Sequence, residues 1–444
     1  MTTPAALVRA DAVERDLLRR WPESRLEPSL DRVRAVTDAL GRPQDAVPVV
    51  HLTGTNGKTT TARVVDELLR ASGLRVGRYT SPHLETMRER VVVDGEPLAA
   101  DRFADVHDAL RPVLEQVEAR HGALSFFEVV TAMAFAAFAD AGLDAVVLEV
   151  GMGGTWDATN VADGRVAVVT PVSLDHTEYL GPDVAAIARE KAGIVKAGSV
   201  AVLADQPPAA SAVLLDRART VGATVVDARR ELRVLDRTPR PDGQLFGLRT
   251  GHGDLPGLSL PLLGAHQAGN AATAVLAAEA FLAADGRELA PATVRDVLAA
   301  VRSPGRLETV QDSPRVWVDA SHNPAGMAAT VAAVGELPDV DHLVVVLAVL
   351  EGKDVDGMLL PLRGAAAHVL VTENTSPRRM PAAALAARAA AVLGADRVTV
   401  MPDLPRALQA ARDRAARPGA AVLVTGSVVT AGEAGALLRS GAPG

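Results

Sequence analysis

Thr55, Asn56, Gly57, Lys58 and Thr59 form a run whose residue types suit phosphate chemistry. An apolar stretch, Val47 to Leu52, precedes them; Gly54 supplies a turn, and a helix-like stretch, Thr60 to Ala71, follows. A strand, a glycine turn ending in Lys-Thr and a helix start predict a phosphate-binding loop. Backbone N–H groups and the helix N-terminus face the anion, and the lysine ammonium reaches the outer phosphates. The threonine hydroxyl can ligate Mg²⁺. The general pattern wants glycine where Leu52 stands. The narrower form Gly54-Thr-Asn-Gly-Lys-Thr59 fits instead.

Other candidates stand at the ends of apolar strands. Glu149 opens Glu149-Val-Gly-Met-Gly-Gly154, where a carboxylate could hold Mg²⁺ beside the phosphates. Ser81, in Thr80-Ser-Pro-His-Leu84, offers a weaker Mg²⁺ ligand. Ser173-Leu-Asp-His-Thr-Glu178 puts Asp175 and His176 in a loop, and Lys191 follows in Arg189-Glu-Lys-Ala-Gly193. A lysine near metal ligands can react with CO₂ and become an anionic carbamate, which arginine cannot do. Farther on, Asp319-Ala-Ser-His-Asn-Pro324 again puts Asp and His at a strand end. Asn270 and Arg306 are nucleotide-clamping candidates, and Lys353-Asp354 is a weaker one.

Composition narrows the function classes. The chain has 444 residues, so two domains are expected, divided near Pro304 into 1–303 and 304–444. Its net charge of −8 speaks against nucleic acid as the main partner. Cysteine is absent, which removes disulfides, thiolate nucleophiles and Cys zinc sites. No apolar run is long enough for a membrane span, so a cytoplasmic protein is expected. Of 46 basic residues four are lysines: Lys58, Lys191, Lys196 and Lys353. Where surface cations have drifted to arginine, a retained lysine is enriched for work arginine cannot do; Lys196 reads as a surface residue.

The elements that must position these residues alternate. Apolar runs 145–150, 166–170 and 200–204 read as buried strands, and 125–139 reads as a helix. The pattern restarts after Arg302-Ser-Pro-Gly305 with strands near 316–319, 343–350, 368–371, 398–400 and 421–424. Alternation with short turns predicts α/β architecture with doubly wound, mostly parallel sheets. Residues 232–260 read as a small antiparallel excursion, and Met1 to Gln44 as helical.

The ordered set of motifs resembles the bacterial folylpolyglutamate synthase/dihydrofolate synthase family of the Mur ligase superfamily. The set runs through Gly54–Thr59, Ser81-Pro-His83, Glu149–Gly154 with Asp157-Ala-Thr-Asn160, Asp175-His176, Arg189–Gly193, His266-Gln267 with Asn270, Gly305–Glu308 and Asp319 with His322-Asn-Pro324. The resemblance covers residues from about 20 to 430. It implies a phosphate-loop ATPase domain followed by a smaller Rossmann-like glutamate-ligase domain. The implied activity is an ATP-dependent amide ligase: MgATP phosphorylates a pterin-bearing carboxylate, and the amine of L-glutamate attacks the acyl phosphate. A Mur-type ligase acting on a non-folate acid is the alternative.

In that family the loop Thr55, Asn56, Gly57, Lys58, Thr59 and Thr60 holds the phosphates, and Asn270, Arg306 and Asp319 complete the ATP contacts. Thr59, Ser81 and Glu149 serve one Mg²⁺; His176 and carbamylated Lys191 serve a second, and a monovalent cation is a further candidate. Lys58, Lys191, His176 and His322 form the catalytic set, and Ser125, Phe126, Phe127 and Glu128 the pterin segment. The implied partners are pterin or folate, L-glutamate and ATP, with no nucleic acid or membrane, and a monomer is expected. Two departures stand out. Thr59-Thr60-Thr61 resembles the cell-wall Mur ligases, and Thr155-Trp156 stands where Arg-Leu or Arg-Phe is commoner.

Overall fold

A computed structural model describes residues 3–22, 27–251 and 253–440. They form two compact units. The first comprises Met1–Val172, Pro182–Arg233 and Asn270–Val297; the second comprises Ser173–Gly181, Val234–Gly269 and Leu298–Gly444. The units therefore interleave along the chain. The last crossover, between Val297 and Leu298, lies near the expected 303/304 division, whereas two earlier segments group with the C-terminal part.

The first unit is built on eight strands: β1 (Val49–Thr53), β2 (Val76–Tyr79), β3 (Val91–Val93), β4 (Glu96–Pro97), β5 (Ala145–Glu149), β6 (Gly164–Val169), β7 (Val200–Leu203) and β8 (Thr224–Asp227). Their order is β4-β3-β2-β5-β1-β6-β7-β8. β2, β5, β1, β6, β7 and β8 run parallel; β3 and β4 add an antiparallel edge. β1 and β5 are buried throughout, which explains their near-continuous apolar sequence. Register sets the functional edge. Leu52 pairs with Glu149, Thr53 with Val169 and Tyr79 with Leu148. The strands thus end together, and the residues that follow them, Gly54, Thr80 and Thr170, line one edge with Glu149.

The core of this unit packs against helix Phe126–Asp140 and a long helix, Ala100–His121, which the sequence pattern does not announce. Phe103, Leu110, Leu114 and Val117 bury one face of that long helix, although Pro112 lies inside it. The antiparallel β3–β4 edge is likewise outside the sequence-based expectation. The N-terminal region contains helices Pro4–Leu18 and Asp31–Ala39; parts of the expected 1–44 stretch, 1–2 and 23–26, lie outside the described residues.

The second unit contains β9 (Arg233–Arg240), β10 (Gly243–Thr250) and β11 (Gly253–Leu260), the three-stranded sheet that answers to the expected excursion. Its larger sheet uses β12 (Glu308–Asp312), β13 (Arg315–Val318), β14 (His342–Leu347), β15 (Ala366–Val371), β16 (Val398–Val400) and β17 (Ala420–Thr425), in the order β12-β13-β17-β14-β15-β16. All neighbours are parallel except β12 and β13. Trp317 is fully buried at the centre of its core.

Helix Lys58–Ala71 is held to β2 by a buried ion pair. Asp66 accepts from Arg78 of β2, and from Arg70 at 3.0 Å. Removing one partner of a buried pair leaves an uncompensated charge. Asp66→Ala is therefore expected to destabilise the first unit by about 3 kcal/mol in urea unfolding; a loss below about 1 kcal/mol would show that Arg78 finds another partner.

Candidate functional site

The phosphate loop turns tightly between β1 and helix Lys58–Ala71. Gly54 has φ +149°, and a Cβ there would lie 1.8 Å from Thr170 Oγ1. Gly57 has φ +89°, and a Cβ there would lie 2.3 Å from Asn270 Oδ1. Glycine is required at both positions, since a side chain would meet both strain and collision. The second contact brings Asn270 directly to the loop. Lys58 curls back, its Nζ donating to the carbonyls of Gly54 (3.0 Å) and Thr55 (3.4 Å). The buried Lys191 ammonium donates to the same Gly54 carbonyl at 2.9 Å.

The loop amides are arranged differently from the expected cradle. The N–H groups of Thr55 and Asn56 point to the Pro171 carbonyl, at 3.0 and 3.4 Å. The loop folds back over the end of β6, and the helix begins only at Lys58. Backbone N–H groups for an anion then come from Gly57, the N-cap, and the first helical turn, Lys58 to Thr60. Thr60 is buried.

Thr59 Oγ1 donates to Glu149 Oε1 at 3.0 Å, joining two of the three expected Mg²⁺ ligands. Ser81 is buried one residue beyond Thr80, on the same sheet edge. After Glu149 the chain is fixed by short contacts. Thr53 Oγ1 donates to the Gly153 carbonyl at 2.7 Å, and a Cβ on Gly154 would meet the Glu190 and Lys191 carbonyls below 3 Å. Thr155, the departure from the family pattern, donates through N and Oγ1 to Glu190 and packs against Gly193. That position fastens the end of the helix that carries Lys191.

Asp157 stiffens the same loop from behind. It accepts from Met152 N at 2.9 Å and from Thr159 Oγ1 at 2.6 Å. With its hydroxyl proton given to Asp157, Thr159 accepts from His51 Nε2 at 2.9 Å, which makes Nε2 the protonated nitrogen of a neutral ring. Burial pushes Asp157 up to about 6 against these hydrogen bonds. Burial, then Lys196, pulls His51 down to about 3. Lys196 is no free surface cation. It binds the carbonyls of Asn160 and Ala162 at 2.8 and 2.9 Å, and Asp163.

Within the second unit, His176 and His322 meet around one buried carboxylate. Asp175 Oδ1 accepts from Lys353 Nζ at 2.8 Å and from the His176 amide at 2.9 Å. Asp175 Oδ2 accepts from Asn323 Nδ2 at 3.0 Å, with His322 Nε2 at 3.5 Å. Burial raises the Asp175 carboxyl, yet the His322 hydrogen bond and the charges of His176, His322 and Lys353 outweigh it, holding the group well below the usual carboxylate range. The Ala320 carbonyl, 2.9 Å from His322 Nδ1, makes that nitrogen a donor. The sequence pattern assigns no role to Asn323 and none to Asp175 beyond its loop. The Asp175-His176 and Asp319–Pro324 motifs and the rare lysine at 353 each signal a part of this cluster, but not that the parts meet.

Arg306 sits in a turn at Ser303–Glu308. The Glu308 carboxylate accepts from Gly305 N and Asp319 Oδ2 from Leu307 N, each at 2.8 Å; Leu307 has φ +46°. Asp319 Oδ1 accepts from Ser321 N and Thr330 Oγ1, so both its oxygens shape the unit as well as any ligand. The His266 ring, half-buried, has its pKa lowered by desolvation, with Asp319 and Arg306 among its charged neighbours. Ser125 and Glu128 have a structural role, capping helix Phe126–Asp140 reciprocally at 3.1 and 2.7 Å, and Glu128 pairs with Arg32. Phe127 lies against Gly151 and 6.0 Å from the Tyr79 ring; Arg90 covers Phe126. Among the described residues no group of three or more His, Asp or Glu is arranged to hold a metal ion.

Comparison with known proteins places this geometry. The Mur ligase middle domain matches residues 52–278, and the Mur ligase glutamate ligase domain matches residues 305–428. The dihydrofolate synthase/folylpolyglutamate synthase of Mycobacterium tuberculosis is 44% identical, over 97% of this chain and 94% of its own length. The chain belongs to the dihydrofolate synthase/folylpolyglutamate synthase family. The Escherichia coli member is 37% identical over 75% of each chain. Among solved structures, M. tuberculosis folylpolyglutamate synthase complexed with ADP superposes with a TM-score of 0.93 at 42% identity, covering 98% of this chain and 99% of that one. E. coli FolC in complex with DHPP and ADP gives 0.85 at 32% identity, covering 99% of each. The Mur ligase fold and its two α/β sheets are therefore those of this family.

The His51 assignment has a measurable consequence. A histidine with a depressed folded pKa contributes stability above its unfolded value of about 6.5, and that contribution is lost as pH falls towards about 3. Relative to His51→Asn, wild type is expected to lose about 1.4 kcal/mol per pH unit below pH 6.5. Parallel stability curves for the two proteins would contradict the neutral, buried ring.

Proposed function

We propose that this chain joins L-glutamate to a folate-type carboxylate, dihydropteroate or a (tetrahydro)folyl-glutamate, through an acyl phosphate made from ATP. Family membership carries the activity class, an ATP-dependent acid–amino-acid ligase. The observation that carries the site is the Thr59 hydroxyl on the Glu149 carboxylate, beside Lys58 in the glycine loop. Phosphoryl transfer to a carboxylate needs charge neutralisation and positioning more than a protein nucleophile. The γ-phosphoryl passes from ATP to a carboxylate oxygen and ADP leaves; the glutamate amine then displaces phosphate and loses a proton.

Lys58, the first helical turn and the loop residues Thr55, Asn56 and Gly57 are assigned to the phosphates, and Asn270, which packs against Gly57, to ATP as well. Arg306 and Asp319 are assigned to the nucleotide. A hydroxyl and a carboxylate 3.0 Å apart suit Mg²⁺, which takes one or two protein oxygens and completes its shell from phosphate and water. Thr59, Glu149 and Ser81 would hold it, and the ion would neutralise phosphate charge. His176 and a carbamylated Lys191 are assigned to a second ion; a monovalent cation is an additional candidate. Support for the carbamate comes from Gly54, whose carbonyl accepts two ammonium groups, Lys58 and Lys191. Carbamylation turns one of these like charges into an anion. His322 is assigned to the transferring phosphate, and Ser125, Phe126, Phe127 and Glu128 to the pterin, the first and last also capping their helix. No helix among the described residues is long and apolar enough to cross a membrane. A cytoplasmic monomer remains the proposed state.

The test is phosphate release on mixing the protein with MgATP, L-glutamate and either dihydropteroate or tetrahydrofolate. Release with one or both is expected; none with either would sink the folate reading. Lys58→Ala is expected to abolish turnover with thermal stability little changed, and normal turnover would remove the loop assignment. Lys191→Arg is expected to fold and lose ligation, while added short-chain carboxylates partly restore Lys191→Ala. Full activity in Lys191→Arg would remove the carbamate.

A further inference from the structure

Arg63 lies one helical turn after Thr59, on the same face of helix Lys58–Ala71. It is half-buried, and burial, then Arg78, holds its guanidinium down to about 10. Among the described residues it makes no hydrogen bond or ion pair, and only its Nε is fully covered. The charges acting on it are Arg78, Glu89, Glu149 and Glu67.

Of the carboxylates near it, Glu89 and Asp66 are committed, Glu67 is weakened, and Glu149 gives one oxygen to Thr59. Glu89 accepts from three backbone amides, Leu84 and Glu85 at 3.0 Å and Thr86 at 2.8 Å. Asp66 is shared between Arg70 and Arg78. Glu149 accepts from Thr59. Glu67 is itself pushed up by burial. The two terminal nitrogens keep solvent access, and a guanidinium fork matches a carboxylate bidentately. The fold thus keeps an unmatched fork on the helix face that carries the Thr59–Glu149 pair.

We propose that Arg63 recognises the acid substrate, its guanidinium receiving the oxyanion of the carboxylate that is activated. This rests on the ligase reading above. Arginine suits such a role because it stays charged when buried and positions two oxygens at once. The same fork would serve a phosphoryl oxyanion, so the test separates the two sources.

Steady-state ADP release is measured for wild type, Arg63→Met and Arg63→Lys, varying dihydropteroate or tetrahydrofolate and ATP separately, alongside thermal unfolding. Arg63→Met is expected to raise KM for the acid at least about tenfold, the scale of a lost charged hydrogen bond. KM for ATP should stay within about twofold, and Tm should hold, because no hydrogen bond or ion pair within the described residues is lost. Arg63→Lys keeps the charge without the fork and should fall between the two; it decides the matter if the methionine variant does not fold. An unchanged acid KM beside active wild type overturns the proposal alone, as does a rise confined to ATP. Wild type inactive with both pterin acids overturns the ligase reading and this inference together.

Discussion

Gly54 is the constraint around which the first unit is arranged. Its missing side chain lets the loop pass so close to Thr170 that a Cβ would lie 1.8 Å from the threonine hydroxyl. Its carbonyl then collects the ammonium groups of Lys58 and Lys191, residues far apart in sequence. The parallel registers of β1, β5 and β6 end the strands in line, so Glu149 and Thr59 meet at the same edge. Tight turns, a shared strand edge and a helix start together build the site proposed for phosphate chemistry, which no single motif would define.

Much of this was legible in the sequence because the signals were local or strongly periodic. Gly54–Thr59 announced its own turn, and the apolar runs around 145–150 and 421–424 announced buried parallel strands. Asp319 and His322 were marked by their position after an apolar strand. Less legible were relations that depend on packing. Nothing in Ser125 and Glu128 distinguishes a capping pair from ligand contacts, since the same residue types serve both. The turning of the Thr55 and Asn56 amides to Pro171 depends on how the loop crosses β6. Asp175 as a hub could not be read from spacing, because its partners Asn323 and Lys353 arrive from distant segments. The helix at 100–121 is hard to read because its apolar face is narrow and interrupted by charge and Pro112.

Both units match their buried carboxylates with several donors. Asp175 is matched by a lysine, an asparagine and two histidines, an arrangement that keeps the carboxylate ionised and the surrounding rings oriented. Asp66 is likewise shared by two arginines. Arg63 breaks the pattern. Departures from full pairing concentrate where a ligand completes the chemistry, and this one sits one helical turn from the Thr59–Glu149 pair.

The central claim is that the glycine loop and Glu149 serve to activate a carboxylate as its acyl phosphate. The most direct measurement follows heavy oxygen from the substrate. Dihydropteroate or folate with a labelled reacting carboxylate is turned over with MgATP and L-glutamate, and the released phosphate is analysed by mass spectrometry. One labelled oxygen in each phosphate is the predicted result. Amide formed with no label in the phosphate would contradict acyl phosphate formation at this site.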